Sequence, residues 1–374
     1  MPDLMYFDTP VLSFKEKEGV ISEVDVTEPK LLPFLLLKDP SAENLTKWRD
    51  KRKIPRRREG IEEVKKHHEE MFEQKNFASL SDPYWIKYRF EKWSRVNFFT
   101  RIYSPAIGDL VFKPYENVRR ENQPDISPDL STIGVLRKAW RQYDGNPASY
   151  LLKAGSVKYH HEPLSEVLAS TILEKLDLID FVPYDLAVEG IEMCSKCRNF
   201  VEPGEELISA ADFYYNRKRL PKETVYEHLI EMCKESGIEH PGKFIDRMTF
   251  VDLLLGNTDR NLSNIGFLRN IKTGEIRPAP LYDNGTAFFG EDNIHHETKL
   301  HFEEEKDIYK KILKDANLSA IASDKSYEDI IRNYPGLDKE RAEQVMEEMG
   351  ETFHNFYIGK VKKRKEEKEK GEVR

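Results

Sequence analysis

The sequence predicts an α+β fold in which an extra N-terminal module precedes a small mixed lobe joined to a mainly helical one. Three patterns carry the prediction. Apolar and polar residues alternate around a turn at 11–26; an amphipathic segment at 161–178 sits between strand-like runs; and a nearly all-apolar stretch, 244–255, leads into a second alternating pair. The 374 residues give room for more than one core, and the expected division is 1–80, 81–202 and 203–374.

Residues 11–26 flank a polar turn holding Gly19, the pattern of a hairpin. The apolar run 31–37 contains Pro33; Asp39-Pro40 then carries helix-start chemistry, with Leu45 and Trp48 on the buried side and an end near Pro55. A charged second helix is expected from Ile61 to about Gln74. Asp82-Pro83 opens an aromatic segment, Tyr84, Trp85, Tyr88, Phe90, Trp93, Phe98 and Phe99. It reads as core, because glycines and basic residues do not interleave with it in a base-stacking pattern.

Short strands are expected at 109–112 and 148–154, and Pro163 starts a helix over 161–178 whose Leu164, Val167, Leu168, Ile172 and Leu176 share one face. Strands resume at 181–189 and 191–200, and the Pro203-Gly204 break is followed by helical sequence. The closing residues 360–374 are nearly all Lys and Glu, a solvated helix end.

Charged residues make up 34 % of the chain and the net charge is −8, so the molecule as a whole repels nucleic acid and anionic lipid. Nucleic-acid contact would be confined to the basic run 47–58, which reads as a solvated helix end or a docking patch for an acidic partner. Cys194, Cys197 and Cys233 give no disulfide framework and indicate a reducing compartment. Cys194-x-x-Cys197 lacks the further ligands zinc requires, and His295, His296 and His301 lie among Glu and Lys as surface residues. No basic start leads into an apolar leader, and the run 31–37 is too short to cross a bilayer. The expectation is a cytoplasmic protein with no membrane contact.

The most informative stretch is Gly256-Asn257-Thr258-Asp259-Arg260-Asn261-Leu262-Ser263-Asn264, followed by Pro278-Ala279-Pro280-Leu281-Tyr282-Asp283-Asn284-Gly285. An Asp with an Asn five positions on, and then an Asp before a small flexible pair, is the arrangement kinase-like enzymes use to hold an attacking hydroxyl and the magnesium of ATP. Phe244, Met248, Val251 and Leu255 recur at helical spacing, and Ile245, Phe250, Leu253 and Leu254 make the segment apolar all round, a buried support for the loop. A hairpin of 265–268 and 275–281, turning at 272–274, would bring Asn264 and Asp283 to roughly 5 Å between α-carbons.

Magnesium takes only one or two ligands from protein, so Asn264 and Asp283 suffice, while Asp259 would orient and deprotonate the hydroxyl. Turn-capping is the alternative role for Asp259 and Asn264. Upstream, Lys153 ends an apolar strand where a phosphate-binding cation is expected, with an edge-strand lysine as the plainer reading. Ser131, Thr132, Ile133 and Gly134, leading to Lys138, offer hydroxyls, a glycine and backbone amides for a loop over the phosphates. Glu166, or else Glu162, is available to pair with Lys153.

With both halves in view, the chain resembles the HipA-type serine/threonine kinases. The resemblance is carried by 128–140, 150–153, 162–170, 257–264 and 279–285 and covers roughly 80–310. It implies a two-lobed protein-kinase-like fold, with Asp259 as catalytic base, Asn264 and Asp283 on Mg2+, and Lys153 on ATP. The phosphate loop would run from Ser131 to Lys138, with Ser131 or the adjacent Thr132 as autophosphorylation site, and the adenine hinge would lie near Cys197 and Phe200. It also implies a protein substrate and an antitoxin-like partner. Asn261 stands where related loops commonly carry His, and residues 1–80 do not resemble the family's best-known N-terminal domain. Two other readings are a small-molecule or lipid kinase, on the Asp-Arg-x-x-x-Asn loop, and a nucleotide-binding pseudokinase or toxin-system scaffold.

Overall fold

Alternating apolar residues around Gly19, which sits at φ 80° where glycine is strongly preferred, fold the first residues into a meander. Strands β1 (Asp3–Tyr6), β2 (Thr9–Lys17) and β3 (Val20–Val26) pair antiparallel, so the expected hairpin is present. The computed structural model describes residues 1–68, 76–112, 127–157, 162–189, 192–257 and 259–287. The readings made for His295, His296, His301 and 360–374, and the end of the second helix near Gln74, lie outside the described residues.

Helix α1 (Ala42–Asp50) lays Leu45 and Trp48 on Leu4, Leu12 and Phe14 of this sheet. Its N-cap is Ser41, whose hydroxyl accepts from Asn44 N, rather than Asp39; the Asp39 carboxylate instead accepts from Ser41 and Asn44. Helix α2 (Ile61–His68) follows. Strand β4 (Tyr84–Lys87) pairs with β1, so this sheet, in the order β3-β2-β1-β4, takes an edge strand from beyond residue 80. Tyr84, Trp85 and Phe98 are fully buried, as their reading as core requires, whereas Phe90 is 95 % exposed.

After the short helix α3 (Trp93–Val96), the strand expected at 109–112 is instead part of helix α4 (Ala106–Phe112). Ser104 and Pro105 start it, the Ser104 hydroxyl accepting from Ala106 N. Gly108 lets α4 approach the next sheet so closely that a Cβ there would meet that of Ala139 at 2.7 Å.

That sheet comprises β5 (Lys138–Arg141), β6 (Tyr150–Ala154), β7 (Asp185–Glu189) and β8 (Glu192–Arg198), antiparallel throughout in the order β5-β6-β8-β7. Between β6 and β7 runs α5 (Glu162–Leu176), as its periodicity predicts; Leu164, Val167, Leu168 and Ile172 lie in the main core. Every residue from 162 to 170 is buried, so the helix has no solvent face over its first half.

The sequence after Pro203-Gly204 begins not as helix but as strand β9 (Glu205–Ser209). Helices α6 (Ala210–Tyr215), α7 (Val225–Glu235) and α8 (Pro241–Leu255) follow, and β10 (Gly266–Asn270) with β11 (Ile276–Pro278) forms the expected hairpin. Strand β10 also pairs with β9, giving a third sheet, β11-β10-β9. The N-terminal module is tied to it: buried Glu206 accepts from Phe34 N at 3.0 Å and from Arg269 at 2.9 Å, while Arg269 donates to Leu32 O at 2.8 Å. Burial raises the Glu206 carboxyl to about 7, against the pull of Arg269.

Phe213 joins the two regions, stacking on Phe34 at 5.4 Å and on Phe267 at 4.7 Å, and is fully buried. Truncation would remove two ring contacts and leave a cavity. Phe213→Ala is expected to lower unfolding free energy by about 3–5 kcal/mol in urea denaturation; a loss under about 1 kcal/mol would contradict this packing.

Candidate active site

Helix α8 ends because Gly256 takes the left-handed conformation, φ 65° and ψ 31°, which releases the chain into the polar loop. Helix α8 fixes the loop through buried Asp252. Asn257 Nδ2 donates to Asp252 Oδ1 at 3.0 Å, while Asn257 Oδ1 accepts from Asp259 N at 3.2 Å and from the Thr286 hydroxyl at 2.7 Å. Asp259 itself is exposed. Its carboxylate accepts from Asn261 Nδ2 at 3.0 Å and from Asn264 Nδ2 at 3.4 Å, so two amides orient it. Asn261, at the histidine position of related loops, thus supports the carboxylate directly.

The hairpin does not by itself bring Asn264 and Asp283 together. Pairing of β10 with the returning strand ends where Ala279 N donates to Gly266 O, and Leu281 turns away to bond Asp180 and Val182. Arg260 spans the gap. Its Nη1 donates to Asn264 O at 2.9 Å and to Tyr282 O at 2.5 Å, its Nη2 donates to Asn284 Oδ1 at 2.6 Å, and its guanidinium is anchored on Asp252. One buried cation therefore sets the two expected magnesium ligands relative to each other. Asn264, with its amide nitrogen on Asp259, has its amide oxygen left for a cation. Asp283 sits at φ 63°, a conformation aspartate tolerates better than most residues.

The upstream half meets this loop at Lys153. Its Nζ donates to Glu166 Oε1 at 2.9 Å, to Asp283 Oδ1 at 2.9 Å and to the Tyr184 hydroxyl at 3.2 Å. Glu166, rather than Glu162, is the helix partner, and its other oxygen accepts from Asn284 N at 2.8 Å. Glu162 instead accepts from Ser156 N at 3.0 Å, and Gly285 packs so near it that a Cβ would lie 3.2 Å from that of Glu162. Burial disfavours charge on Lys153, but Asp283 and Glu166 outweigh it and hold the ammonium well above its ordinary pKa. Burial likewise works against charge on Asp283, yet Lys153 and Lys138 overcome it and push the carboxyl down to about 2. Glu166, more deeply buried, is raised.

Lys138 differs from the loop position expected for it. It is the first residue of β5 and lies directly opposite Lys153 in the β5–β6 register, a like-charge pair that a sheet disfavours. It is 9 % exposed and makes no salt-bridge contact among the described residues, the Asp283 and Glu166 carboxylates acting on it only from longer range. Burial, then the charge of Lys153, lowers it to about 7. A buried cation facing another cation fits an anion in the site, which is the test that the phosphates of a nucleotide must pass here.

The loop before Lys138 begins in a turn, Pro128–Ser131, and continues through Gly134, whose φ of 108° is a glycine conformation and whose missing side chain makes room for Lys138 Nζ. Ser131 is buried and donates to Pro128 O at 3.1 Å; Thr132 donates to the same carbonyl at 2.8 Å and accepts from Trp140 Nε1. Both hydroxyls are engaged in this arrangement. Ile133 is 57 % exposed on the loop. Cys197 is buried in β8 opposite Leu151, its thiol pushed up to about 11 chiefly by burial, and Phe200 stacks on Tyr282 at 5.7 Å. All three cysteines are free, and no group of three or more potential His, Cys, Asp or Glu metal ligands occurs among the described residues.

Sequence reasoning missed Arg260 and Tyr184 as parts of the site. Arg260 had a signal, since a cation beside an expected catalytic carboxylate in a polar loop needs several acceptors; Tyr184 had none. The basic run 47–58 is divided: Arg49, Arg52 and Arg58 are buried, Arg49 on Glu16 and Arg52 on Asp82, whereas Lys47, Lys51, Lys53, Arg56 and Arg57 are exposed. Lys47, Lys51 and Lys53 are paired with Glu43, Asp212 and Asp50.

The mixed α+β architecture with antiparallel sheets is similar to that of a solved HipA, in line with the sequence resemblance. The toxin–antitoxin structure of Shewanella oneidensis MR-1 HipA with HipB and operator DNA matches at a TM-score of 0.54 and 12% identity, over 95% of this chain and 96% of that one. The match leaves too little of the chain uncovered to omit residues 1–80, so the fold likeness reaches a region where the sequence gives none. The Helicobacter pylori proinflammatory kinase CtkA matches at a TM-score of 0.38 and 18% identity, over 57% of this chain and 89% of that one. No protein-family profile and no curated protein matches the chain. Among the described residues no helix is long and apolar enough to cross a membrane.

Because the folded-state pKa of Lys138 lies below the unfolded value of 10.5, the unfolded chain binds the extra proton between about 7 and that value. Its buried charge therefore destabilises the protein fully below pH 7, and the penalty fades as pH rises. Lys138→Met is expected to be more stable than the parent at pH 7, with the difference shrinking toward pH 10, and to lose stabilisation by added pyrophosphate. Equal pyrophosphate stabilisation of both proteins in thermal unfolding would contradict this assignment.

Proposed function

We propose that the chain is an ATP- and magnesium-dependent phosphotransferase that moves the γ-phosphate to a hydroxyl, the acceptor being Ser or Thr of a protein. The observation that carries this reading is the pair of buried lysines facing each other across β5 and β6, of which Lys153 alone is in salt-bridge contact with carboxylates among the described residues. Lys138 and Lys153 would take phosphate oxygens, and Asn264 and Asp283 would hold the metal. Magnesium held there would offset the charge on the transferred group. Asp259, exposed and oriented by Asn261 and Asn264, would accept the proton of the attacking hydroxyl. Ser131, Thr132, Ile133 and Gly134 would cover the phosphates, and the region of Cys197 and Phe200 would border the adenine.

Support for a protein substrate comes from the exposed setting of Asp259, which a bulky acceptor can reach. The solved HipA is assembled with HipB and operator DNA, and we extend an antitoxin-like partner to this chain on that fold likeness. Three free, buried cysteines support a reducing, cytoplasmic setting.

Incubation with magnesium, γ-labelled ATP and a cell extract, followed by mass spectrometry, is expected to yield phosphoserine or phosphothreonine. Asp259→Asn should lower the rate by about 10²–10⁴-fold while leaving ATP affinity within about threefold. Label appearing only in small molecules would overturn the protein-kinase assignment, and bound ATP with no transfer to anything would overturn phosphotransfer.

A further inference from the structure

The segment before α2 reaches across to the loop that precedes Lys138. Arg58 is 3 % exposed; its Nη2 donates to Thr132 O and its Nε to Gly134 O at 3.3 Å. The next residue adds a backbone bond, Glu59 N to Val135 O at 2.9 Å, so three loop carbonyls, those of 132, 134 and 135, are held by two adjacent residues. Carbonyls fixed outward in this way restrict how the intervening amides can turn, which is what a phosphate loop needs. Arg58 Nη1 is buried with no hydrogen-bond partner among the described residues.

We infer that Arg58, from the N-terminal module, is the positioning residue of the 131–138 loop and couples that module to nucleotide binding. The inference deepens the kinase reading and rests on it for the identity of the ligand. Arg58 is well suited to the task. A planar fork can hold two carbonyls at once, which an ammonium cannot, and its charge adds to the positive field that acts on Lys138. Burial costs the guanidinium enough to bring it down to about 10, opposed by the nearby Asp129 carboxylate. The same segment is rooted in the module: Arg52 donates to Phe77 O at 3.0 Å and pairs with Asp82, and Arg49 pairs with Glu16 of the N-terminal hairpin. A displacement of 52–60 would therefore release the loop.

The test is hydrogen–deuterium exchange of the full chain without nucleotide, together with Mg-ATP binding and steady-state kinetics, for the parent, Arg58→Gln and Arg58→Lys. Arg58→Gln should raise exchange in 131–138 by about tenfold while leaving the β1–β3 sheet unchanged, and should raise the KM for ATP by about tenfold with kcat within about threefold. Arg58→Lys, which keeps the charge and loses the fork, should recover less than half of either effect, and it serves as the readout if the glutamine variant does not fold. Unchanged loop exchange in both variants, or full rescue by lysine, would overturn the inference. A parent that binds no Mg-ATP would overturn the kinase reading instead, and the exchange data would still decide whether Arg58 holds the loop.

Discussion

The site is organised around one buried ammonium. Lys153 comes from β6, Glu166 from α5 and Asp283 from the loop after β11, and their contacts at 2.9 Å are what bring three elements distant in sequence into one place. Breaking such a contact from one side leaves an uncompensated charge in the interior, a far larger penalty than the net gain from making it. The arrangement therefore does more to fix geometry than to stabilise the fold. Tyr184 and Asn284 N satisfy further donors and acceptors of the same cluster, so its members have little freedom to rotate.

Arg260 performs the corresponding service for the loop 259–264. It converts a hairpin whose strands part after Ala279 into a fixed pair of loop ends, with buried Asp252 of helix α8 as anchor. Rigid secondary structure thus stands behind every polar group at the site: a helix behind Asp259, a sheet behind Lys138 and Lys153, a helix behind Glu166. Lys138 adds a second buried positive charge to this cluster, without a salt-bridge contact of its own among the described residues.

Much of this was legible in the chain itself. Period-2 alternation gave the N-terminal and β10–β11 hairpins, period-3.6 spacing gave α5 and α8, and the Asp-to-Asn spacing marked the loop. The illegible parts have physical reasons. Strand β9 was hidden because its inward residue is Glu206, a charge at a core position whose partner, Arg269, is far away in sequence. Helix α4 resembles a strand in sequence because its apolar end, 109–112, is too short to show a helical period, while its start signal, Ser104-Pro105, lies outside that run. Spacing alone left Glu166 and Glu162 as alternatives, because the choice depends on the loop carrying Asp283 and Asn284, which packs on α5 at Glu166. The role of Arg58 depends on the backbone carbonyls of Thr132 and Gly134, which no side-chain pattern announces.

The central claim is that Lys138 and Lys153 face a nucleotide's phosphates while Asn264 and Asp283 hold its metal. A crystal structure of the chain with magnesium and a non-hydrolysable ATP analogue tests it most directly. The account predicts phosphate oxygens within hydrogen-bond reach of both lysine ammonium groups, and a metal bound to the oxygens of Asn264 and Asp283. A nucleotide seated elsewhere, or a Lys138 ammonium still without an anion when the analogue is bound, would contradict it.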